Sequence, residues 1–140
     1  MRVLILAAAT VMLVGCHKPA QTQAPAASAV AAAPVAHAWS GTYEGDNLRL
    51  TLSGTAGARK IVLIAATQTC TGDIGLNGED ISVKDVSETE LDAGLPTQGK
   101  GWCEVKLDRS GNSITLSETD TCQVFHGMQC SFNGTVTRVK

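Results

Sequence analysis

From residue 39 onward, apolar and polar positions alternate with a period of two, in short runs set off by turn-forming residues. In residues 47–53, Leu48, Leu50 and Leu52 alternate with Arg49 and Thr51. Ile81 and Val83 repeat the pattern against Ser82 and Lys84. Cys103, Val105 and Leu107 fall on one face and Glu104, Lys106 and Asp108 on the other, and Ile114 and Leu116 continue the rhythm. Near the end, Cys130, Phe132 and Val136 share one parity. Successive side chains of a strand point to opposite faces, so each run predicts a strand with one buried side. Residues 60–66 are apolar on both parities, which places them at the centre of a sheet or under cover on both faces.

Turn signals separate the runs: Ser53-Gly54-Thr55-Ala56-Gly57, Asn77-Gly78, Arg109-Ser110-Gly111-Asn112 and Asn133-Gly134. Asn77-Gly78, between residues 74–76 and 81–83, predicts a tight hairpin. Residues 86–101, acidic and interrupted by Pro96, read as one long loop. No stretch carries a helical stripe. The expected fold is therefore all-β: a small antiparallel barrel or sandwich of about eight strands. Trp39-Ser-Gly-Thr-Tyr43 and Phe132-Asn-Gly-Thr-Val136 echo one another. First and last strands that pair to close a barrel would explain the echo, and so would coincidence.

Ahead of this domain the composition changes. Residues 1–15 hold one charge, Arg2, then an apolar run of about a dozen residues, the plan of a secretory signal. The run is shorter than the roughly 20 residues needed to span a bilayer. Leu13-Val14-Gly15-Cys16 resembles the bacterial lipobox, which implies cleavage before Cys16 and acylation of its thiol. His17 follows, where an Asp would favour retention in the inner membrane, so the expected location is the outer membrane, facing the periplasm. Residues 17–38 contain ten Ala and three Pro among 22 and no acidic residue, the composition of a tether. The division is thus a signal over 1–15, a lipidated Cys16 with its tether over 16–38, and a β-domain over 39–140.

That domain carries nine Lys and Arg against thirteen Asp and Glu, with no basic concentration of the kind nucleic acid requires. With few aromatics, its core must be built mainly of Val, Ile and Leu. Apart from Cys16 it holds Cys70, Cys103, Cys122 and Cys130, an even number that an oxidising compartment would join in two disulfides. Three pairings exist. Cys122–Cys130 with Cys70–Cys103 is favoured, because it closes a short loop between adjacent strands. The rival is a zinc site, since Cys122, His126 and Cys130 stand four apart and would share a helical face. Gly127 and the neighbouring Val124-Phe125 disfavour that helix, so no metal or cofactor is expected.

No catalytic constellation stands out, and the chain reads as a non-enzyme. None of Ser40, Ser53 and Ser131 sits in a Gly-x-Ser-x-Gly elbow, and the domain's only histidine is His126. Carboxylates cluster at Glu79-Asp80, across 85–92 and across 118–120. Such pairs can do acid–base chemistry, but in loops they read as solvated charge.

The segment Ser53-Gly54-Thr55-Ala56-Gly57-Ala58-Arg59-Lys60 is similar to the Ser-Gly-x-Gly-Ala-Arg/Lys-Tyr loop of the bacterial lipoprotein inhibitors of C-type lysozyme (the MliC/PliC family). The resemblance covers about eight residues of the domain. It implies a small lipid-anchored barrel that inserts loops into a muramidase cleft, with Ser53 and Arg59 as the matching residues. Lys60 stands where the family has an aromatic. The family's second motif, Trp-x-Lys-Gly, appears here in the order Lys100-Gly101-Trp102. A hydroxyl or cation from such a loop can pair with the cleft carboxylates. The expected partner-binding residues are Ser53, Arg59, Lys60 and Lys100, and the expected partner is a lysozyme-like peptidoglycan hydrolase. The alternative is a structural or small-ligand-binding envelope lipoprotein.

Overall fold

The computed structural model describes residues 39–99 and 101–139. The signal, Cys16, the tether and Lys100 lie outside the described residues. Nine strands follow one another: β1 (Gly41–Glu44), β2 (Leu48–Ser53), β3 (Lys60–Ala66), β4 (Thr71–Ile74), β5 (Ser82–Asp85), β6 (Glu90–Thr97), β7 (Gly101–Ser110), β8 (Ser113–Glu118) and β9 (Gly134–Arg138). They form one curled antiparallel sheet in the order β4-β3-β2-β1-β9-β8-β7-β6-β5.

The period-two pattern sets which side faces the hollow of the curl. Leu48, Leu50 and Leu52 of β2, Ile61, Leu63 and Ala65 of β3, and Cys103, Val105 and Leu107 of β7 are all buried. Ile114 and Leu116 of β8 and Val136 of β9 join them, and Trp39, Tyr43 and Phe132 fill the centre. The apolar positions of β3 on the outer face, Val62 and Ile64, are only half-buried, and β3 lies one strand in from an edge. Its two-sided apolar pattern therefore reflects partial cover.

Strands β1 and β9 pair at the middle of the sheet, with Tyr43 opposite Arg138 and Glu44 opposite Thr137. The echo has a structural counterpart. Trp39 and Phe132 are both buried anchors, and Tyr43 and Val136 both point into the core. Gly41 and Gly134 open their strands at φ of 150° and 152°, where a side chain is strained.

Two expectations fail here. Residues 86–101 are not one loop, because half of them belong to β6, which pairs along its whole length with β7. Leu91, Ala93, Leu95 and Thr97 face inward in alternation, a pattern masked in the sequence by Gly94 and Pro96. Gly94 is required because a Cβ there would run into the Trp102 indole, which lies over it. Pro96 is tolerated because β5 stops at Ser82, opposite Gly94, and leaves that side of β6 without a strand neighbour beyond that point. Nor does Asn77-Gly78 make a hairpin. The strands on either side of it, β4 and β5, are the two unpaired edges of the sheet. Nine alternating strands leave those edges running in the same direction, so they cannot pair as an antiparallel hairpin. The curl therefore keeps a seam between β4 and β5.

The disulfide pairing also differs from expectation. The bridges join Cys70 to Cys130 and Cys103 to Cys122, with Cα atoms 5.7 Å and 4.5 Å apart. The expected pairing assumed that Cys122 and Cys130 lie on adjacent strands. Cys122 instead lies in a 3-10 turn, Asp120–Phe125. That turn is tied to β7 by Thr119 N–H to the Glu104 carbonyl at 3.0 Å and by the Thr121 hydroxyl to the Trp102 carbonyl at 2.6 Å. These bonds set Cys122 over Cys103. Cys130, which leads into β9, meets Cys70 in the β3–β4 turn.

Candidate functional site

The residues that the resemblance singles out are partly gathered in one place. Ser53 ends β2 and Lys60 begins β3, and the two are cross-strand partners. Both are exposed, at the base of a loop made only of Gly54, Thr55, Ala56, Gly57, Ala58 and Arg59. Gly54 and Gly57 adopt φ of 83° and 77°, the left-handed turns that let so short a loop reverse. A Cβ on Gly54 would also strike the Ala58 carbonyl. Lys100 lies outside the described residues, and its neighbours, Gly99 after β6 and Gly101 at the start of β7, lie at the other end of the sheet.

The loop is held from three directions. Ala58 N–H donates to the Thr55 carbonyl at 2.9 Å, and the Ser40 hydroxyl donates to the Gly54 carbonyl at 3.1 Å. Across the seam, Asp85 of β5 accepts from Gly57 N–H at 3.1 Å and from Arg59 Nε at 2.6 Å. Burial acts to raise the Asp85 pKa, but the bonds from Arg59 and Gly57 and the Arg59 charge outweigh it, and the net shift is downward. The Arg59 guanidinium also lies 6.0 Å from the Trp39 ring centroid, and that of Arg109 lies 5.2 Å from it. The Arg59 side chain is only 4% exposed. A partner would meet it only after the Asp85 pair had opened, which separates Arg59 from the outward role expected of it. Asp85, the residue that fixes the loop, was hidden in the sequence among other loop carboxylates.

At the opposite end sits a polar group with several partly buried partners. Glu118, at the end of β8, accepts from the Ser131 hydroxyl at 2.6 Å, Phe132 N–H at 3.2 Å and Asn133 Nδ2 at 3.3 Å. Its second oxygen lies 2.8 Å from His126 Nε2, and His126 Nδ1 lies 2.6 Å from the Gly127 carbonyl. Ser131 gives its proton to Glu118 and not to His126, so the three do not form the relay that a serine nucleophile needs. With side chains 5% and 8% exposed, His126 and Glu118 act as an internal tie between the 3-10 turn and the approach to β9. The zinc alternative loses its ligands, because Cys122 and Cys130 are bridged and the 3-10 turn ends before His126.

The other acidic clusters are dispersed. Glu90 pairs with Lys106 at 2.9 Å on the outer face, and this bond, with the Asp108 and Glu90 charges, raises the lysine pKa. Glu79 and Asp80 line an open groove of about 710 Å³ whose other walls are Leu95, Pro96, Gln98, Val124 and Phe125. The hollow of the sheet itself is filled by core side chains. Comparisons with protein-family models, with curated proteins and with solved structures find no match.

Proposed function

We propose that this chain is a lipid-anchored envelope protein whose β-domain works by binding and not by catalysis, and that its partner is a lysozyme-like peptidoglycan hydrolase. One observation carries the reading: the loop between Ser53 and Lys60 is a narrow finger of small side chains, fixed in advance by Asp85. Ordering a loop before association removes an entropic cost that binding would otherwise meet. Small side chains suit insertion into a cleft, and the exposed Lys60 at the base offers charge to cleft carboxylates. The excess of acidic residues favours encounter with a basic enzyme. In this reading Arg59 holds the finger in shape, and Ser53 and Lys60 meet the partner.

The test uses the full acylated chain, isolated in detergent and added to peptidoglycan lysis by C-type lysozyme and other muramidases. Lysis should slow, and Lys60→Glu or Thr55→Trp should weaken the inhibition at least tenfold. Failure to inhibit any muramidase, including those encoded beside the gene, would overturn the reading.

A further inference from the structure

The groove at the upper part of the seam lies at the far end of the sheet from the finger, and the hydrolase reading makes no use of it. Its floor is apolar, formed by Leu95 and Pro96 of β6 and by Val124 and Phe125 of the 3-10 turn. Val124 is 47% exposed, although the turn that presents it is fastened by the Cys103–Cys122 bridge. A large apolar side chain held outward on a rigid support is poised for contact. The facing wall is acidic, made of Glu79 and Asp80 in the β4–β5 connection. Glu79 is set in place by Asn77, whose backbone N–H donates to it at 3.1 Å. Hydrogen bonds from its own amide and from Asn77 outweigh desolvation and hold its carboxyl below the usual range. Among the described residues no Lys, Arg or His pairs with Glu79 or Asp80. The acidic wall thus stands uncompensated above an apolar floor.

We infer that this groove receives a lysine or arginine side chain of a protein partner, whose methylenes lie on Pro96, Val124 and Phe125 while its cationic head meets Glu79 and Asp80. Long basic side chains divide in this way, with an apolar stem and a charged tip. An anionic head would be repelled by the wall, and a purely apolar group would strip water from both carboxylates without replacing it. The site is separate from the finger, so the two can be lost independently.

The probe is a set of blocked peptides, Ac-Leu-Lys-Leu-NH2, its Arg analogue and its Gln analogue, titrated into the isotope-labelled full chain and followed by amide NMR. The Lys and Arg peptides should shift the signals of Glu79, Asp80, Gln98, Val124 and Phe125. The Gln peptide should bind at least fivefold more weakly. Glu79→Gln with Asp80→Asn should weaken the Lys peptide by a similar factor, and Val124→Lys should abolish its binding by placing a cation in the groove. Equal binding of Lys and Gln peptides, shifts confined to residues elsewhere, or no shifts at all would overturn the proposal. Muramidase inhibition is read separately, so a failure here leaves the finger's test intact.

Discussion

Arg59 and Asp85 meet at 2.6 Å across the seam, joining the β2–β3 loop to the strand at the opposite edge of the sheet. No backbone ladder joins the edge strands β4 and β5. The ion pair therefore ties a loop to a strand whose outer side pairs with no other.

Arg59→Ala should destabilise the domain by about 2–3 kcal/mol, below the full loss for a wholly buried pair, because Asp85 keeps 27% of its side chain in solvent. Amide exchange of residues 54–58 should quicken far more than that of the core strands. Unchanged exchange in the loop would show that the pair does not hold it.

The same pair predicts an acid dependence. The folded pKa of Asp85 lies below its ordinary value of 3.8. Its contribution is then fully present above about pH 4 and is lost as pH falls through the lower folded value. Thermal unfolding followed from pH 6 to pH 2 should show this loss, and Asp85→Asn should flatten that part of the profile.

Peptide mapping without reduction should recover Cys70 linked to Cys130 and Cys103 linked to Cys122. The first bridge spans 60 residues and the second 19. By the loop-entropy relation, removing them as Ser pairs should cost roughly 4 and 3 kcal/mol respectively. Denaturant titration of the two double variants tests the order.

Glu118→Ala should be the most damaging single polar change, at about 3–5 kcal/mol. It strands the Ser131 hydroxyl, Phe132 N–H and His126 Nε2 at once. Glu118→Gln keeps an acceptor for the first two and should cost about half as much. Calorimetry of the two variants, compared with a surface change such as Glu104→Gln, provides the measurement.

Alternation made the inward faces of β2, β7, β8 and β9 legible, because burial on one side leaves a period-two signature. It failed at β6, where the outward positions hold Gly94 and Pro96, which are poor strand formers. Gly94 makes sense only once Trp102 is seen to lie over it. The Asn77-Gly78 turn shows a different limit. Local chemistry announces a reversal, but whether the flanking segments pair depends on the number of strands in the whole sheet. The cysteine count was readable, but the partners were not, since the 3-10 turn that delivers Cys122 to Cys103 carries no periodic signal. At the candidate site, the loop stood out through its glycines, and the inward fate of Arg59 depended on Asp85, 26 residues away.

The position of β9 has a kinetic consequence. Residues 41–74 and 82–118 can each zip up as successive local hairpins, but neither series touches the other through neighbouring strands until β9 slides between β1 and β8. The slowest step should be this late insertion, which brings together segments 95 residues apart, as Tyr43 and Arg138 are. Nascent polypeptide lacking residues 134–138 would exist as two meanders with bare central edges, and the final strand acts as the keystone that turns them into one body.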